Sequence, residues 1–368
     1  MPRQRRCTVF TDRLKALTPY VPGEQPQDRT YIKLNTNESP YPPSPRVRQV
    51  LQSSSYEDLR LYPDPLFRKL RETIASRHCL KPANVFISNG SDEALSFCFY
   101  AFFDSSRGPL LFPEFSYSFY PVYCDFYRIG YKKIPLNPDF SINVDSYLAQ
   151  KTSCGIIFPN PNAPTGIGLS LDAIKSLLDR YPVDRVVVID EAYIDFGGES
   201  AACLLEQYPN LLIVQTYSKS KSLAGLRLGF TLGSEALITA LFTVKDSFNS
   251  YPVDRLTLDI GKAAYEDQEY YSKMTGDIIR SREYLTEKLL DQGFEVLPSK
   301  ANFVFARKPG TTGKAIYERL KEKGILVRYF STPGIDDFVR ITIGTPEEID
   351  CLLKNTRALF GRLPIHTV

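Results

Sequence analysis

The sequence predicts an α/β fold, with a mostly parallel central sheet in a large domain and a smaller α+β domain after it. The first observation is a series of short, unalternated apolar runs separated by helical or turn segments, which is typical of parallel strands covered on both faces. These runs are LLF (110–112), GIIF (155–158), RVVVID (185–190), LLIVQT (211–216) and LGFTL (228–232). The second observation is that the last third changes to mixed, partly alternating strands with long helices, which indicates an α+β unit.

Length and composition agree with two domains of a globular enzyme. The chain has 368 residues, of which 43% are hydrophobic and 24% are charged. A single hydrophobic core stops growing below this length, so we expect one large and one small domain. We predict an N-terminal arm over residues 1–30, a large domain over 31–250 and a small domain over 251–368.

The elements of the first half follow from proline positions and hydrophobic periodicity. Residues 34–45 (LNTNESPYPPSP) are dense in proline, which rules out regular structure there. Elsewhere the spacing of apolar residues separates helices from strands. The predicted elements are a helix with Leu66, Leu70 and Ile74 on one face, the strand VFIS (85–88), a helix over 94–103 opened by the turn NGSDE, and a helix over 171–181.

The last third carries long helical patterns followed by short strands. Its final helix has an apolar stripe, which predicts packing against the small domain. The predicted elements are helices over 256–265 and 278–290, the strands FEVL (294–297), NFVFA (302–306), ILVRYF (325–330) and FVRITIG (338–344), and a last helix with Ile349, Leu352, Leu353, Thr356, Leu359 and Phe360 on one stripe.

The presence of only two histidines excludes several classes of enzyme. His78 and His366 lie far apart in the chain, so we expect no multi-histidine metal site. A Ser-His-Asp or Cys-His hydrolase would depend on His78, which the segment SRHCLKP places in a solvated turn. The chemistry is therefore expected to use Lys, Tyr, Arg and carboxylates, or a bound organic cofactor.

Cysteines and charge bear on the compartment and the partners. Seven widely spaced cysteines without a CxxC pair indicate neither a disulfide framework nor a zinc site. The basic N-terminal segment lacks the apolar core of a secretory signal, and no stretch approaches the ~18 apolar residues of a membrane span. The formal net charge of +3 and the short RQRR segment do not favour nucleic acid. We expect a cytoplasmic, soluble protein without nucleic-acid or membrane partners.

Three side chains suited to chemistry follow neighbouring apolar strands. Asp190 ends RVVVID, Lys219 comes shortly after LLIVQT, and Arg227 lies eight residues beyond Lys219. In parallel sheets, ligands bind beyond the carboxyl ends of the strands. A carboxylate at the end of a buried strand is unfavourable unless a cation meets it. An acid, a lysine and an arginine are thus expected in one cleft.

This set meets the requirements of pyridoxal 5'-phosphate. The cofactor takes a lysine as its Schiff-base partner and an acid that keeps its pyridine nitrogen protonated. Its phosphate takes backbone amides of small residues, a helix N-terminus and an arginine. The residues assigned to it are Gly90, Ser91, Asp92, Ser218 and Arg227 for the phosphate, Phe115 for one face of the ring, and Tyr193 for the phenolic oxygen.

A series of motifs occurs in the order seen in fold-type I pyridoxal-phosphate aminotransferases. The motifs are LNTNESPYPP, LYPDP, NGSDE, PNAPTG, DEAY, YSKS with GLRLGF, and RITIGT. From about Leu17 to Phe360 the chain resembles this family of fold-type I transferases. The motifs NES, YPDP and GSDE together resemble its class-II-like histidinol-phosphate aminotransferase subgroup.

The resemblance implies a role for each matching residue. Lys219 would bind the cofactor covalently, Asp190 would pair with the pyridinium nitrogen, and Tyr193 would contact the phenolic oxygen; these three are the expected catalytic residues. It also implies a homodimer, because Tyr62 of LYPDP would reach the cofactor phosphate of the neighbouring subunit. The remaining implied contacts are stacking by Phe115 and phosphate binding by Ser91, Asp92, Ser218 and Arg227.

One position departs from the pattern of the family. The family usually has Asn directly before Pro-Thr-Gly, hydrogen-bonded to the phenolic oxygen. This chain has Ala163 there and Asn162 one place earlier. We assign the bond to Asn162.

Two arginines in the small domain indicate an anionic substrate. Arg328 and Arg340 each interrupt an apolar strand, which is unfavourable unless the guanidinium meets an anion or a buried carboxylate. The resemblance implies that they bind the anionic end of the substrate, with assistance from Tyr20. Bidentate arginine geometry suits carboxylate and phosphate equally, so the sequence does not choose between them.

Lys221 is an alternative to Lys219, because both follow the same strand. Ser218 immediately before Lys219 and the spacing to Arg227 favour Lys219. Lys221 is then expected to be a nearby solvated charge.

The resemblance implies an aminotransferase that converts L-histidinol phosphate and 2-oxoglutarate to imidazole acetol phosphate and glutamate, in histidine biosynthesis. An aromatic amino-acid aminotransferase and a threonine-phosphate decarboxylase on the same scaffold stay open as alternatives. From a different class, a non-catalytic cofactor-binding or regulatory protein is a further alternative. The presence of Lys219, Asp190, Tyr193 and Arg227 argues against the last.

Overall fold

The computed structural model describes residues 9–15 and 17–361 of the chain. Cys7, His366 and the basic segment at residues 3–6 lie outside the described residues. The strands are β1 (Ile32–Leu34), β2 (Val85–Ser88), β3 (Leu110–Pro113), β4 (Tyr131–Ile134), β5 (Gly155–Pro159), β6 (Val186–Asp190), β7 (Leu211–Thr216), β8 (Gly229–Gly233), β9 (Glu295–Val296), β10 (Phe303–Arg307), β11 (Ile325–Tyr329) and β12 (Phe338–Thr342).

Helices connect most of these strands, and several of them begin at a residue whose side chain caps the first turn. Ser170 and Asp254 each accept a hydrogen bond from the first turn that follows, and Thr345 forms a reciprocal capping box with Glu348. The helices are α1 (Asp12–Lys15), α2 (Pro45–Ser53), α3 (Arg68–Arg77), α4 (Gly90–Phe102), α5 (Phe119–Tyr127), α6 (Val144–Leu148), α7 (Leu171–Arg180), α8 (Glu235–Phe248), α9 (Arg255–Glu266), α10 (Gln268–Asp291), α11 (Gly313–Glu322) and α12 (Pro346–Phe360).

The larger sheet has seven strands in the order β2-β8-β7-β6-β5-β3-β4. Its strands β4, β3, β5, β6 and β7 are parallel to their neighbours, whereas β8 runs antiparallel to both β7 and β2. The predicted α/β class and the mostly parallel sheet are confirmed. Crossover helices pack on both faces, which is why the strands read as continuous apolar runs rather than alternating ones.

Two hydrophobic clusters cover the two faces of this sheet. Along β6, Val187 and Ile189 belong to one cluster, and Val186 and Val188 belong to the other, which contains α4 and α5 residues. This alternation is the period of two that strand geometry imposes. Asp190 comes next after Ile189, so it falls on the face of Val188 and meets α5.

The smaller sheet has five strands in the order β1-β11-β12-β10-β9. Strands β9 to β12 pair antiparallel, and β1 joins the edge of β11 in parallel, with Ile32 opposite Ile325. Thus Ile32–Leu34, which the sequence-based division assigns to the large domain, is an edge strand of the smaller sheet. The boundary near residue 250 stays a prediction, and we propose that residues 32–34 belong with the small domain.

Across the described ranges 9–15 and 17–361, no helix combines the length and the apolar character needed to cross a membrane.

Candidate active site

The ends of three adjacent parallel strands form one wall of a cleft between the two sheets. Pro159, Asp190 and Thr216, the last residues of β5, β6 and β7, line the cleft. Arg328 on β11 and Arg340 on β12 line it from the opposite side. Its volume is about 260 Å³. The cleft therefore lies where parallel sheets bind ligands and has a contribution from each sheet.

Asp190 presents a buried carboxyl group to this cleft. It is 5% exposed and accepts hydrogen bonds from Tyr120 Oη at 3.2 Å and from the Ala192 amide at 3.1 Å. Burial raises its pKa to about 7. Among the described residues, no cationic side chain lies within 4 Å of the Asp190 carboxyl group, so it forms no salt bridge. Such a carboxyl group is suited to a cation that enters the cleft from outside the chain.

Lys219 also lines the cleft, on the segment that follows β7. Its Nζ donates to the Thr36 carbonyl at 3.3 Å and lies 5.8 Å from the centroid of the Tyr193 ring. No carboxylate of the described residues lies within ion-pairing distance of it. A lysine with a weakly engaged ammonium group in a cleft can act as a nucleophile or a base.

Lys221 points away from the cleft into a second cavity. Its side chain is 12% exposed, its Nζ lies 3.9 Å from Asp195 Oδ2, and it sits over the Tyr271 ring. Burial lowers its pKa. The expectation of a solvated charge is wrong, because α10 covers this lysine. The structure brings Lys219, and not Lys221, to the cleft.

The predicted phosphate end gathers around Arg227. Ser91, Asp92, Ser218 and Arg227 line the cleft, and Ser91 and Asp92 lie in the first turn of α4. Arg227 Nη2 lies 3.0 Å from Asp92 Oδ2, and its Nη1 contacts Ser218 Oγ at 3.5 Å. A helix N-terminus beside a guanidinium group is a favourable place for an anion.

Gly90 supports this end from behind rather than lining the cleft. It has a φ of +73°, and a Cβ atom there would lie 2.8 Å from Arg227 Nη2. Only glycine combines this backbone conformation with the close approach of the guanidinium group. Gly90 therefore sets the position of Arg227 against the first turn of α4.

In the turn after β3, the aromatic residue that lines the cleft is Tyr117 and not the predicted Phe115. Phe115 does not line the cleft, because its side chain packs toward Gly334 and Phe140 in the cluster under the small domain. Tyr117 lines the cleft and donates to Asp92 Oδ1 at 2.9 Å. Burial raises the pKa of Tyr117, so its phenol stays protonated. The turn after β3 decides which aromatic faces inward.

Tyr193 lines the cleft beside Lys219, as predicted. Its hydroxyl oxygen accepts a hydrogen bond from Asn37 Nδ2 at 2.9 Å. Its ring packs edge to face on Phe303 with 5.1 Å between centroids.

Asn162 does not come to the cleft. Its Nδ2 donates to the Phe115 carbonyl at 3.0 Å and to Thr165 Oγ1 at 3.2 Å. Ala163, and not Asn162, lines the cleft and packs near Tyr193. The assignment of the phenolic-oxygen bond to Asn162 is therefore corrected: its amide is used to hold the turn after β5.

Arg328 and Arg340 are paired directly opposite each other on β11 and β12. Like charges in this arrangement destabilise a sheet unless an anion lies between them. Arg340 donates to the Asn35 carbonyl at 3.3 Å, and its buried Nε has no hydrogen-bond partner. Burial lowers the pKa of Arg340. The pair is suited to bind an anion that enters the cleft.

The segment after α1 closes this end of the cleft. Tyr20 lines the cleft and its ring lies 4.9 Å from that of Phe119, centroid to centroid. The carbonyls of Val21 and Pro22 accept long hydrogen bonds from Arg328 at 3.4 Å. Tyr20 and Arg328 thus come together with Arg340, as predicted.

Tyr62 lies apart from the cleft. It is 78% exposed and stacks on Tyr251 with 4.6 Å between ring centroids. This position is consistent with a contact outside its own subunit and with none inside its own cleft.

His78 does not lie in a solvated turn, which corrects another prediction. It follows the last residue of α3 as its C-cap, is half-buried, and its Nε2 lies 2.8 Å from Tyr265 Oη. Burial lowers its pKa. It lines the second cavity, beside Lys221, and does not reach the cleft.

Several residues of the cleft were not nominated from the sequence. Most of them belong to the motif LNTNESP or to the turn after β3, both of which the sequence marks as irregular segments near the site. Their residue types alone do not indicate which of them face the cleft. They are Asn35, Thr36, Asn37, Glu38, Ser116, Tyr117, Ser118 and Phe330.

Comparison with known proteins identifies the family to which the chain belongs. The sequence profile described as "Aminotransferase class I and II" matches residues 29–355. A histidinol-phosphate aminotransferase of Syntrophus aciditrophicus is 59% identical, over 96% of this chain and 98% of its own. One from Pseudomonas entomophila is 52% identical, over 92% of this chain and 97% of its own.

Solved structures share the fold. A histidinol-phosphate aminotransferase from Sinorhizobium meliloti, in complex with pyridoxal-5'-phosphate, has a TM-score of 0.86 at 24% identity and covers 96% of this chain and 99% of its own. Aspartate aminotransferase from Thermus thermophilus with maleate has a TM-score of 0.80 at 20% identity and covers 95% and 99%. At these identities the likeness establishes the fold alone.

Proposed function

Because the chain belongs to the aminotransferase class I and II family, we propose that it is a pyridoxal-phosphate-dependent histidinol-phosphate aminotransferase. It transfers the amino group of L-histidinol phosphate to 2-oxoglutarate, giving imidazole acetol phosphate and glutamate in histidine biosynthesis. The relatives of 59% and 52% identity over nearly the whole chain support this activity. The observation that carries it is a cleft with Lys219 and Asp190 at one end and two opposed arginines at the other.

The residues of the cleft fit pyridoxal phosphate. Asp190 is a buried carboxyl group without a cationic partner, which suits a pyridinium nitrogen. Arg227, Ser218 and the first turn of α4 suit a phosphate. When bound, the cofactor supplies an electron sink for the negative charge left when a proton is removed from the amino substrate.

Lys219 is the residue that we assign to covalent attachment and to proton transfer. Its Nζ lies in the cleft between Tyr193 and the 34–38 segment, and no carboxylate of the described residues forms an ion pair with it. With the cofactor bound, the free Nζ of Lys219 would remove a proton from the substrate carbon that bears the amino group and would carry it for the transfer. Asp190 would pair with the ring nitrogen of the bound cofactor.

Arg328 and Arg340 bind the anionic end of each substrate in turn. Their opposed placement leaves two guanidinium groups directed at one region of the cleft. A phosphate in the first half-reaction and a carboxylate in the second are both bidentate acceptors, so the same pair serves both. Tyr20 closes this region.

The enzyme is a homodimer in this proposal. Two segments expose large apolar side chains near Tyr62, and stacking of Tyr62 on Tyr251 brings the segments together. Monomeric proteins rarely expose an apolar patch of this kind. The exposed side chains are Tyr56, Leu59, Leu61, Tyr62, Phe248 and Tyr251. Tyr62 would then contact the cofactor phosphate of the partner.

A cytoplasmic location is part of the same proposal. The six cysteines of the described residues are all unpaired, and three of them are buried. Free thiols of this kind are typical of a reducing compartment.

The test is to add L-histidinol phosphate to the purified, cofactor-loaded protein and to record its visible absorption. Loss of that absorption, followed by its recovery on addition of 2-oxoglutarate, is expected from a two-stage transfer. Arg340→Gln should raise KM for histidinol phosphate about 100-fold, because a buried guanidinium-anion pair is lost. Faster turnover of phenylalanine would favour the aromatic aminotransferase, and release of carbon dioxide from threonine phosphate would favour the decarboxylase.

A further inference from the structure

Asn37 contacts Tyr193 but has no role in the predicted site. It is 1% exposed, and its Nδ2 donates to Tyr193 Oη at 2.9 Å. Its φ of +56° lies in the left-handed region, which asparagine tolerates better than most residues. A strained conformation of this kind persists only where neighbouring contacts hold it.

Two residues of the small domain supply those contacts. Thr342 Oγ1 accepts the Asn37 backbone N–H at 3.0 Å and donates to Asn37 Oδ1 at 3.1 Å. Asn302 Nδ2 donates to the Asn37 carbonyl at 3.0 Å. The backbone and the amide of Asn37 are therefore fixed from β12 and from the residue before β10.

These bonds decide which end of the Asn37 amide faces Tyr193. The Thr342 hydroxyl has one proton, and because its oxygen accepts the backbone N–H, that proton goes to Oδ1. The opposite orientation would leave the Thr342 proton without an acceptor. Nδ2 thus faces Tyr193, and since an amide nitrogen only donates, the Tyr193 oxygen is the acceptor. The Tyr193 proton is left to point elsewhere.

We propose that Asn37, held by Thr342, is a positioning residue that directs the Tyr193 proton into the cleft. This rests on the proposed function and on the predicted contact of Tyr193 with the phenolic oxygen of the cofactor. Within the described part of the chain, Asn37 is the sole hydrogen-bond partner of the Tyr193 hydroxyl, because Ala163 offers only a methyl group. Phe303, opposite Thr342 in register, packs on the Tyr193 ring, so neighbouring strands fix the ring and the hydroxyl.

Asn37→Asp tests the direction of the hydrogen bond to Tyr193 and keeps the size and shape of the side chain. A carboxylate only accepts, so it would draw the Tyr193 proton toward itself and away from the cleft. The visible absorption maximum of the cofactor-loaded protein should shift. We expect kcat to fall about tenfold, the order of one hydrogen bond, while KM for the amino substrate changes less than about twofold. Asn37→Gly, which suits the positive φ and removes the donor, should shift the maximum too.

Thr342→Val tests the residue that holds the amide, and Thr231→Val is its control. Thr231 on β8 is also buried, but its hydroxyl has no hydrogen-bond partner. We expect Thr342→Val to shift the absorption maximum in the same direction as Asn37→Asp but less, and Thr231→Val to leave it unchanged. Circular dichroism of each variant shows whether the fold is retained.

Tyr193→Phe shows whether the spectrum reports the hydroxyl. If Tyr193→Phe shifts the maximum but Asn37→Asp, Asn37→Gly and Thr342→Val do not, the positioning role is overturned. If Tyr193→Phe has no effect either, the positioning role fails together with the assigned contact of Tyr193. Turnover of histidinol phosphate by the unaltered enzyme, measured separately, then decides whether the proposed activity stands.

Discussion

The cleft and the second cavity lie on opposite sides of the segment from Thr216 to Lys221. Each side has one acid of the pair Asp190 and Glu191 and one lysine of the pair Lys219 and Lys221. Asp190 and Lys219 line the cleft, whereas Lys221 lines the second cavity, and Glu191 bonds to Ser200 and Gln215 at its edge. Residues 190 and 191 separate because successive residues at the end of a strand point to opposite faces. Proximity in sequence therefore does not assign them to the same site.

The two carboxyl groups show what distinguishes a structural acid from a functional one. Burial raises the pKa of both to about 7. Glu191 accepts three short bonds, from Ser200 Oγ and the Ala201 amide at 2.7 Å and from Gln215 Nε2 at 2.8 Å. Asp190 accepts two bonds longer than 3 Å and faces the cleft. Residual hydrogen-bonding capacity, rather than a raised pKa, marks the functional group.

The largest expected effect separates the two lysines. Lys219→Ala should reduce the rate of amino transfer by about 10³-fold or more, because it removes the group that attaches the cofactor and moves the proton. Lys221→Ala should change the rate less than about tenfold. The rates and the visible absorption of both variants are the measurements. Loss of absorption in Lys221→Ala alone would reverse the assignment.

The next effect separates the two acids. Asp190→Asn should lower kcat about 100-fold or more, because the ring nitrogen loses its charged partner. Glu191→Gln should mainly lower the free energy of unfolding, by about 1–3 kcal/mol, because a glutamine nitrogen would face donors. Steady-state kinetics and urea unfolding check the pair. An equal loss of kcat in the two variants would show that facing the cleft does not distinguish Asp190 from Glu191 in catalysis.

The pH dependence of stability gives a third comparison, in protein stripped of cofactor. The pKa of Asp190 is about 7 in the folded protein and about 3.9 in an unfolded chain. Between those values the folded state binds more protons, so the free energy of unfolding falls as pH rises from about 4 to about 7 and is level above that. Asp190→Asn should therefore be more stable than the unaltered protein by about 4 kcal/mol at pH 8 but by only about 1.5 kcal/mol at pH 5.

Urea unfolding at the two pH values measures that difference. Cofactor should reverse it, because the pyridinium cation then stabilises the ionised aspartate. A constant difference at both pH values would mean that Asp190 is not the titrating group.

The smallest effect concerns the ion pair of the second cavity. Lys221→Met should change the free energy of unfolding by less than about 1 kcal/mol, since a loose pair at 3.9 Å barely offsets the desolvation of the ammonium. Thermal or urea unfolding measures it. A loss above about 3 kcal/mol would show that Asp195 and Lys221 form an essential pair.

The strand-end residues could be predicted because their signal is local. An apolar run that stops at Asp190 or shortly before Lys219 places the side chain at the sheet edge without knowledge of any distant contact. Phe115 is the first aromatic residue after β3, and only the path of the turn shows that its side chain points away from the cleft.

Other features depend on partners far along the chain. The role of Asn37 requires Thr342, and the burial of His78 requires Tyr265 on α9. The three-residue strand Ile32–Leu34 is too short to show a period, and it forms only because β11 offers an edge. Long-range pairing of this kind leaves little trace in local composition.

Pairing of β1 with β11 also has a consequence for biosynthesis. Ile32 meets Ile325, so the smaller sheet is assembled from the beginning and the end of the chain. At a translation rate of about 5–20 residues per second, its edge strand emerges from the ribosome roughly 15–60 s before its neighbour. The larger sheet can form in that interval. The smaller sheet therefore forms after the larger one, and its cleft residues meet those of the large domain only after β12 has been synthesised.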